Sequence, residues 1–164
     1  MTTPPLITPA IPADAGEILT VQRAAYVTEA QHYADPLLPP LTETLEEILS
    51  ALAGPETVLV ARAGHRLVGS VRARIADDTA HVGRLAVAPD QQGQGVGALL
   101  LRAVEVACAD RVSRFVLFTG AASERNLRLY GRHGYKIVGN RPDANGISLA
   151  VLEKRLVKGA HSNA

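Results

Sequence analysis

The sequence predicts an α+β fold, a mostly antiparallel sheet that is flanked by helices. Two observations favour this class. Three β-branched runs follow one another between residues 57 and 88 with only short glycine or aspartate turns between them, which is typical of an antiparallel meander. A glycine-rich loop then leads into a long apolar helix, after which strands and a helix alternate to the end.

The N-terminal third predicts an edge strand and two helices. Residues 6–10 are apolar and bracketed by prolines, which suits a strand at the edge of a sheet. Residues 13–27 place apolar side chains at three- and four-residue spacing, the pattern of an amphipathic helix. The proline-rich stretch 29–41 is interpreted as a loop. Thr44 and Glu47 then match a capping box at the start of the second helix.

The remaining elements follow from the same patterns. Strands are expected over residues 57–62, 66–75, 81–88, 114–119, 135–138 and 147–155. Helices are expected over residues 95–110 and 123–133, the latter with Ser123 as its cap. Residues 1–157 are therefore predicted to form a single domain, and residues 158–164 a flexible C-terminal tail.

Composition excludes several classes of protein. The chain has 164 residues and a net charge of +1, which argues against a dedicated nucleic-acid partner. Its single cysteine, Cys108, cannot form an intramolecular disulfide and is interpreted as a small core residue. No run is apolar enough for a membrane span, the start does not resemble a signal peptide, and the histidines lack metal-ligand spacing. We therefore expect a cytoplasmic protein with no membrane partner and no metal.

The most informative stretch covers residues 85–101, where a strand ends at a proline and a Gln/Gly loop enters an apolar helix. Free N–H groups and the positive dipole end of such a helix start form an anion site, which glycines let a ligand approach closely. A phosphate or pyrophosphate ligand is therefore predicted. The loop lacks the Lys-Ser or Lys-Thr of a P-loop, and its Gly-x-Gly-x-Gly spacing fits a dinucleotide fold poorly.

A third phosphate-loop pattern is matched. Gln92, Gly95 and Gly97 fit Gln/Arg-x-x-Gly-x-Gly/Ala after a strand that ends Leu-Ala-Val, and here the chain resembles the GNAT family, the Gcn5-related N-acetyltransferases. The resemblance covers almost the whole chain. It implies a mixed, mostly antiparallel sheet that is splayed at the strand carrying Leu85 and Val87, and it implies acetyl-CoA as co-substrate. The main chain of Leu85 and Val87 would pair with its pantetheine arm, although from the residues alone both are core strand positions. The pyrophosphate would meet the loop backbone at Gln92, Gly93, Gln94, Gly95, Val96, Gly97 and Ala98.

A second motif strengthens the resemblance. Asn126-x-x-x-Tyr130, followed by Gly134-Tyr135, resembles the family's Asn-x-x-x-Tyr and Gly-Phe, with Tyr135 as a departure. The four-residue spacing places Asn126 and Tyr130 on one helix face. The resemblance implies a cofactor contact for Asn126 and makes Tyr130 the general acid that protonates the departing thiolate. From the residues alone, Tyr130 would be a packed aromatic.

The base and the acceptor are less constrained by the motifs. Many relatives carry a glutamate on the central strand where this sequence has His81, so His81 is the predicted base, with Glu29 or a water chain as alternatives. Tyr26, Glu29 and Tyr33 are predicted to contact the acceptor, because acidic and aromatic side chains suit a cationic amine.

The resemblance implies an N-acetyltransferase that acts by direct transfer on a primary amine of a small molecule or peptide. A homodimer is common among similar proteins. The alternative function is a catalytically silent acyl-CoA-binding sensor or protein-interaction module, and a dinucleotide-dependent oxidoreductase comes third.

Overall fold

The sheet has seven strands in a computed structural model, which describes residues 3–157. The strands are β1 Leu6–Pro9, β2 Thr57–Ala63, β3 Arg66–Ala76, β4 Thr79–Val87, β5 Arg114–Gly120, β6 Lys136–Pro142 and β7 Ser148–Arg155. Their order across the sheet is β1-β2-β3-β4-β5-β7-β6, and only β4 and β5 pair in parallel. The predicted mixed, mostly antiparallel sheet is confirmed, whereas the predicted tail lies outside the described residues.

Among the described residues, five α-helices flank the sheet: α1 Ala15–His32, α2 Pro39–Thr42, α3 Leu45–Ala53, α4 Val96–Cys108 and α5 Glu124–Arg132. The α3 helix begins at the predicted capping box, where Thr44 Oγ1 accepts from the Glu47 N–H and the Glu47 carboxylate accepts from the Thr44 N–H. Within residues 3–157, no helix has both the length and the apolar character needed to cross a membrane.

The predicted loop over residues 29–41 is wrong in part. The α1 helix continues to His32, because no proline or glycine interrupts the chain between Gly16 and Pro36. A further short helix, α2, begins at Pro39, where a missing N–H costs nothing in a first turn. The consequence for function is that Glu29 lies on a rigid helix rather than on a surface connection.

Alternation along β2 divides the core between the two faces of the sheet. Leu59 and Ala61 pack on the side of α4, in a cluster that also holds the fully buried Cys108. Val58 and Val60 belong to the second cluster, on the opposite side with α1 and α3. Both faces are therefore covered, and the β4 strand lies at the centre of the sheet.

The sheet opens between β4 and β5. These strands pair only over Thr79–His81 opposite Arg114–Val116, and both continue well beyond that point. The C-terminal half of β4 consequently has no ladder partner on the β5 side. This is the splay expected around Leu85 and Val87, and it leaves a gap in the middle of the sheet.

Gly69 marks a close approach between β3, β4 and α4. A Cβ atom there would lie 2.8 Å from Leu100 Cδ1 and 2.9 Å from the Ala86 carbonyl oxygen. Because that oxygen belongs to a neighbouring strand, Gly69→Ala is expected to lower the free energy of unfolding by about 1–3 kcal/mol, as other overpacked cores do. Urea unfolding measures the change. Gly139→Ala, whose methyl meets nothing within 4 Å, is the control, and an equal loss there would contradict the prediction.

Candidate active site

A cavity of about 980 Å³ lies where β4 and β5 diverge. Its walls come from α1, the diverging strands, the glycine loop at the start of α4, α5 and the β6–β7 turn. The predicted site residues that line it are Tyr26, Glu29, Tyr33, Leu85, Val87, Gln92, Gly93, Gly95, Gly97, Ala98, Asn126 and Tyr130. Gln94, Val96 and His81 do not line it. Cavities of this size are typical of ligand sites.

The glycine loop presents backbone rather than side chains to this cavity. Gly93 and Gly95 have φ values of 77° and 85°, a region that L side chains adopt only at a cost. Gly95 is the N-cap of α4, and no side chain caps that helix. Because the first helical hydrogen bond runs from the Leu99 N–H to the Gly95 carbonyl, the N–H groups of residues 96–98 lack a partner within the helix. They are available to an anion.

Gln92 holds the loop against the end of β4. Its Nε2 donates to the Val87 carbonyl oxygen at 3.0 Å, while its Oε1 accepts from Arg125 at 3.1 Å. The Leu85 carbonyl oxygen likewise accepts from the Tyr26 hydroxyl at 3.1 Å. A carbonyl oxygen has two lone pairs, so both main-chain positions keep one for a ligand. The pantetheine contacts at Leu85 and Val87 stay a prediction.

Glu29 is the centre of a hydrogen-bond network that joins α1 to α5. Its Oε2 accepts from Ser123 Oγ at 2.9 Å, and its Oε1 accepts from Asn126 Nδ2 at 3.2 Å. The Tyr33 hydroxyl lies 3.1 Å from Ser123 Oγ and accepts from the Ala122 N–H. Each oxygen of a carboxylate can accept two hydrogen bonds. Both oxygens of Glu29 therefore retain capacity for a ligand in the cavity.

The network corrects one expectation and adds one residue. Ser123 stands at the N-cap of α5 as predicted, but its hydroxyl makes no capping bond and instead contacts Glu29 and the Tyr33 hydroxyl. Gly120, which the sequence reasoning missed, leaves room for Tyr33: a Cβ atom at Gly120 would overlap the tyrosine ring and hydroxyl. A glycine at the very end of an apolar strand was the available signal.

Tyr130 lies on α5, and its ring packs edge-to-face against the ring of Tyr135. The two ring centroids are 5.9 Å apart. Only 8% of Tyr130 is exposed. Burial raises the pKa of Tyr130 above its usual range, and the neighbouring Tyr26 and Glu29 raise this pKa further. Among residues 3–157, none hydrogen-bonds the Tyr130 hydroxyl. The phenol is thus held protonated at the cavity wall, with its proton available to a ligand.

His81 lies on β4 before the strands diverge. It is opposite Arg74 on β3 and Val116 on β5, outside the wall formed by Glu29 and Tyr130. Burial lowers the pKa of His81, and the charges of Arg74 and Arg114 lower it further, so its imidazole is neutral at pH 7. His81 does not line the cavity, and its role as the base stays a prediction.

Comparison with known proteins gives a family match. Residues 25–156 match the profile of a family described as "Acetyltransferase (GNAT) domain". The uncharacterized N-acetyltransferase YjcF of Bacillus subtilis is 29% identical over 97 residues, which are 58% of this chain and 67% of that protein.

Solved structures show the same fold at low identity. The structure of yncA from Salmonella typhimurium, with its cofactor acetyl-CoA, is 18% identical, covers 99% of both chains and has a TM-score of 0.79. The ribosomal-protein-S18-alanine N-acetyltransferase of Escherichia coli is 16% identical over 98% of this chain and 99% of that chain, with a TM-score of 0.78. The fold implied by the sequence motifs is thereby confirmed.

Proposed function

Because the chain belongs to the GNAT family of acetyltransferases, we propose that it transfers the acetyl group of acetyl-CoA to a primary amine of a small molecule or peptide. One observation carries this proposal: a single cavity is lined both by the glycine loop at the start of α4 and by Glu29 and Tyr130. The first can hold an anionic cofactor, and the second can exchange protons with a reacting group.

In this proposal acetyl-CoA supplies a thioester, an acyl group already activated for transfer. Glu29 holds the ammonium group of the acceptor and takes one proton from it. The freed amine nitrogen forms a bond to the acetyl carbonyl carbon, and the carbon–sulfur bond breaks. Tyr130 gives its proton to the departing thiolate, which leaves as free thiol. The nitrogen loses a second proton as the amide forms, and that proton restores the tyrosine. Glu29 releases the proton that it took to water, which restores the carboxylate.

Binding of the cofactor depends on the left-handed backbone of the glycine loop. In Gly95→Ala, the alanine is strained at this positive φ. Rotation of φ relieves the strain and turns the start of α4 away from the phosphate. We expect the Kd for acetyl-CoA to rise about tenfold or more, the effect of losing one hydrogen bond to a charged group. Gly64→Ala is the control, because Gly64 also has a positive φ, of 61°, but lies outside the cavity wall. Calorimetry that finds equal weakening in both variants would contradict the prediction.

The proposed function is tested with the unmodified chain. Acetyl-CoA is titrated by calorimetry, and a panel of amino acids, polyamines, aminoglycosides and peptides is screened with free thiol as the readout. We expect micromolar-range binding, with a Kd of about 1–100 μM, and thiol release with at least one amine. Folded protein that binds no acetyl-CoA would overturn the proposal. Binding without turnover across the panel would instead support the silent sensor.

A further inference from the structure

Arg84 has a strained backbone at the wall of the cavity. Its φ is 52°, at a point on β4 where the pairing with β3 shifts register between Ser70 and Arg72. A non-glycine residue in this region persists only when its surroundings impose it, and such residues cluster at ligand sites. A bulge of this kind re-aims a side chain. The glycine before it, Gly83, was the only sequence signal for the irregularity.

The guanidinium group of Arg84 forms an ion pair with Glu43 but makes no hydrogen bond to any of the described residues. Its Nε atom is buried without a hydrogen bond to any of the described residues. The carboxylate of Glu43 is 3.6 Å away, beyond hydrogen-bond distance. That carboxylate already accepts from two nitrogens of Arg72 and from Gln22 Nε2. Arg84 is therefore a partly buried cation whose N–H groups make no hydrogen bond to the described residues. The neighbouring carboxylate of Glu43 already accepts hydrogen bonds from Arg72 and Gln22.

An anionic group lies in the same cavity. Glu29 and Arg84 both line it, as does Tyr26. Burial raises the pKa of Tyr26 to about 12, while the Arg84 charge acts to lower this pKa and the Glu29 charge to raise it. The carboxylate of Glu29 and the guanidinium of Arg84 therefore both act on the buried phenol of Tyr26 in the cavity wall.

We propose that the acceptor is an amino acid, whose ammonium group pairs with Glu29 and whose free carboxylate binds the guanidinium of Arg84. This rests on the proposed acetyl transfer and names the substrate of the same site. A carboxylate would satisfy the spare donors of Arg84 with charge-assisted hydrogen bonds. A polyamine or an aminoglycoside would instead place positive charge against Arg84, which is unfavourable.

The test compares each amino acid of a panel with its own carboxamide. We expect kcat/KM for the best amino acid to exceed that for its amide by at least about tenfold, because the neutral amide forms no charge-assisted hydrogen bonds with the guanidinium of Arg84. Arg84→Gln should lower kcat/KM for the acid by about tenfold, mainly through KM, and leave the amide within about twofold. Arg74→Gln, an exposed arginine on β3 outside the cavity, should change neither.

The outcomes separate this inference from the proposed function. Turnover of amines without preference for the carboxylate would overturn the inference alone, as would an equal loss for acid and amide in Arg84→Gln. Absence of thiol release with every acceptor would overturn both. Because glutamine tolerates a positive φ no worse than arginine, a folding defect is not expected, and circular dichroism of the variant checks this.

Discussion

Tyr130→Phe is expected to lower kcat for acetyl transfer by about 100-fold, the usual contribution of a positioned general acid. The phenylalanine ring keeps the edge contact with Tyr135 and loses only a hydroxyl that none of the described side chains binds. The Kd for acetyl-CoA should therefore stay within about twofold. Single-turnover kinetics of thiol release, together with calorimetry, separate the chemical step from binding.

Tyr135→Phe is the matched control for this variant. The Tyr135 hydroxyl donates to Glu105 Oε2 at 2.8 Å, and Tyr135 does not line the cavity. Its loss should reduce the free energy of unfolding by about 1 kcal/mol and leave kcat within about twofold. If both variants lowered kcat alike, Tyr130 would act through packing and its assignment as the acid would fail.

The pH dependence of kcat follows from the environment of Tyr130. Burial is the main reason that the pKa of Tyr130 is raised, so the protonated phenol persists at higher pH than for free tyrosine, whose pKa is about 10. The wild-type kcat should consequently show no alkaline decline caused by Tyr130 below about pH 10. A decline near pH 8 that Tyr130→Phe removes would show that the pKa of Tyr130 is not raised, and so would contradict this prediction.

Local patterns predicted the parts of the site that are built from neighbouring residues. The glycine loop and the pair Asn126 and Tyr130 are each contained in a few consecutive residues, so a strand end, a helix start or a four-residue spacing could be identified directly. Gly93 and Gly95 have left-handed backbones, and their contact with the cofactor stays a prediction. These elements need little information from the rest of the chain.

Such local patterns could not predict contacts between residues that are far apart in the sequence. Ser123 and Glu29 are 94 residues apart in the sequence, and a serine at a helix start predicts a cap unless the position of α1 is known. The left-handed Arg84 depends on how β3 and β4 pair, and the room at Gly120 depends on Tyr33. The same limit applies to His81. The sequence placed His81 correctly on β4, but it did not show where β5 separates from β4 to open the cavity.

Glu29→Gln is expected to lower kcat/KM for the acceptor by about 100-fold, because the amide lacks the charge that attracts an ammonium group and cannot take its proton. The Kd for acetyl-CoA should change little. Ser123→Ala tests whether disruption of the network alone accounts for the loss, since it removes one hydrogen bond to Glu29 but leaves the carboxylate in place. We expect its kcat/KM to fall only about fivefold, in line with one lost hydrogen bond.

His81→Gln decides between the two bases. Since His81 lies outside the cavity wall, its replacement should leave kcat/KM within about threefold of the wild type. Steady-state kinetics with the best acceptor compares the three variants under one set of conditions. A large loss of kcat/KM in His81→Gln, together with an active Glu29→Gln variant, would show that His81 takes the proton of the acceptor. In that case Glu29 would only orient the acceptor through its contacts with Ser123 and Asn126.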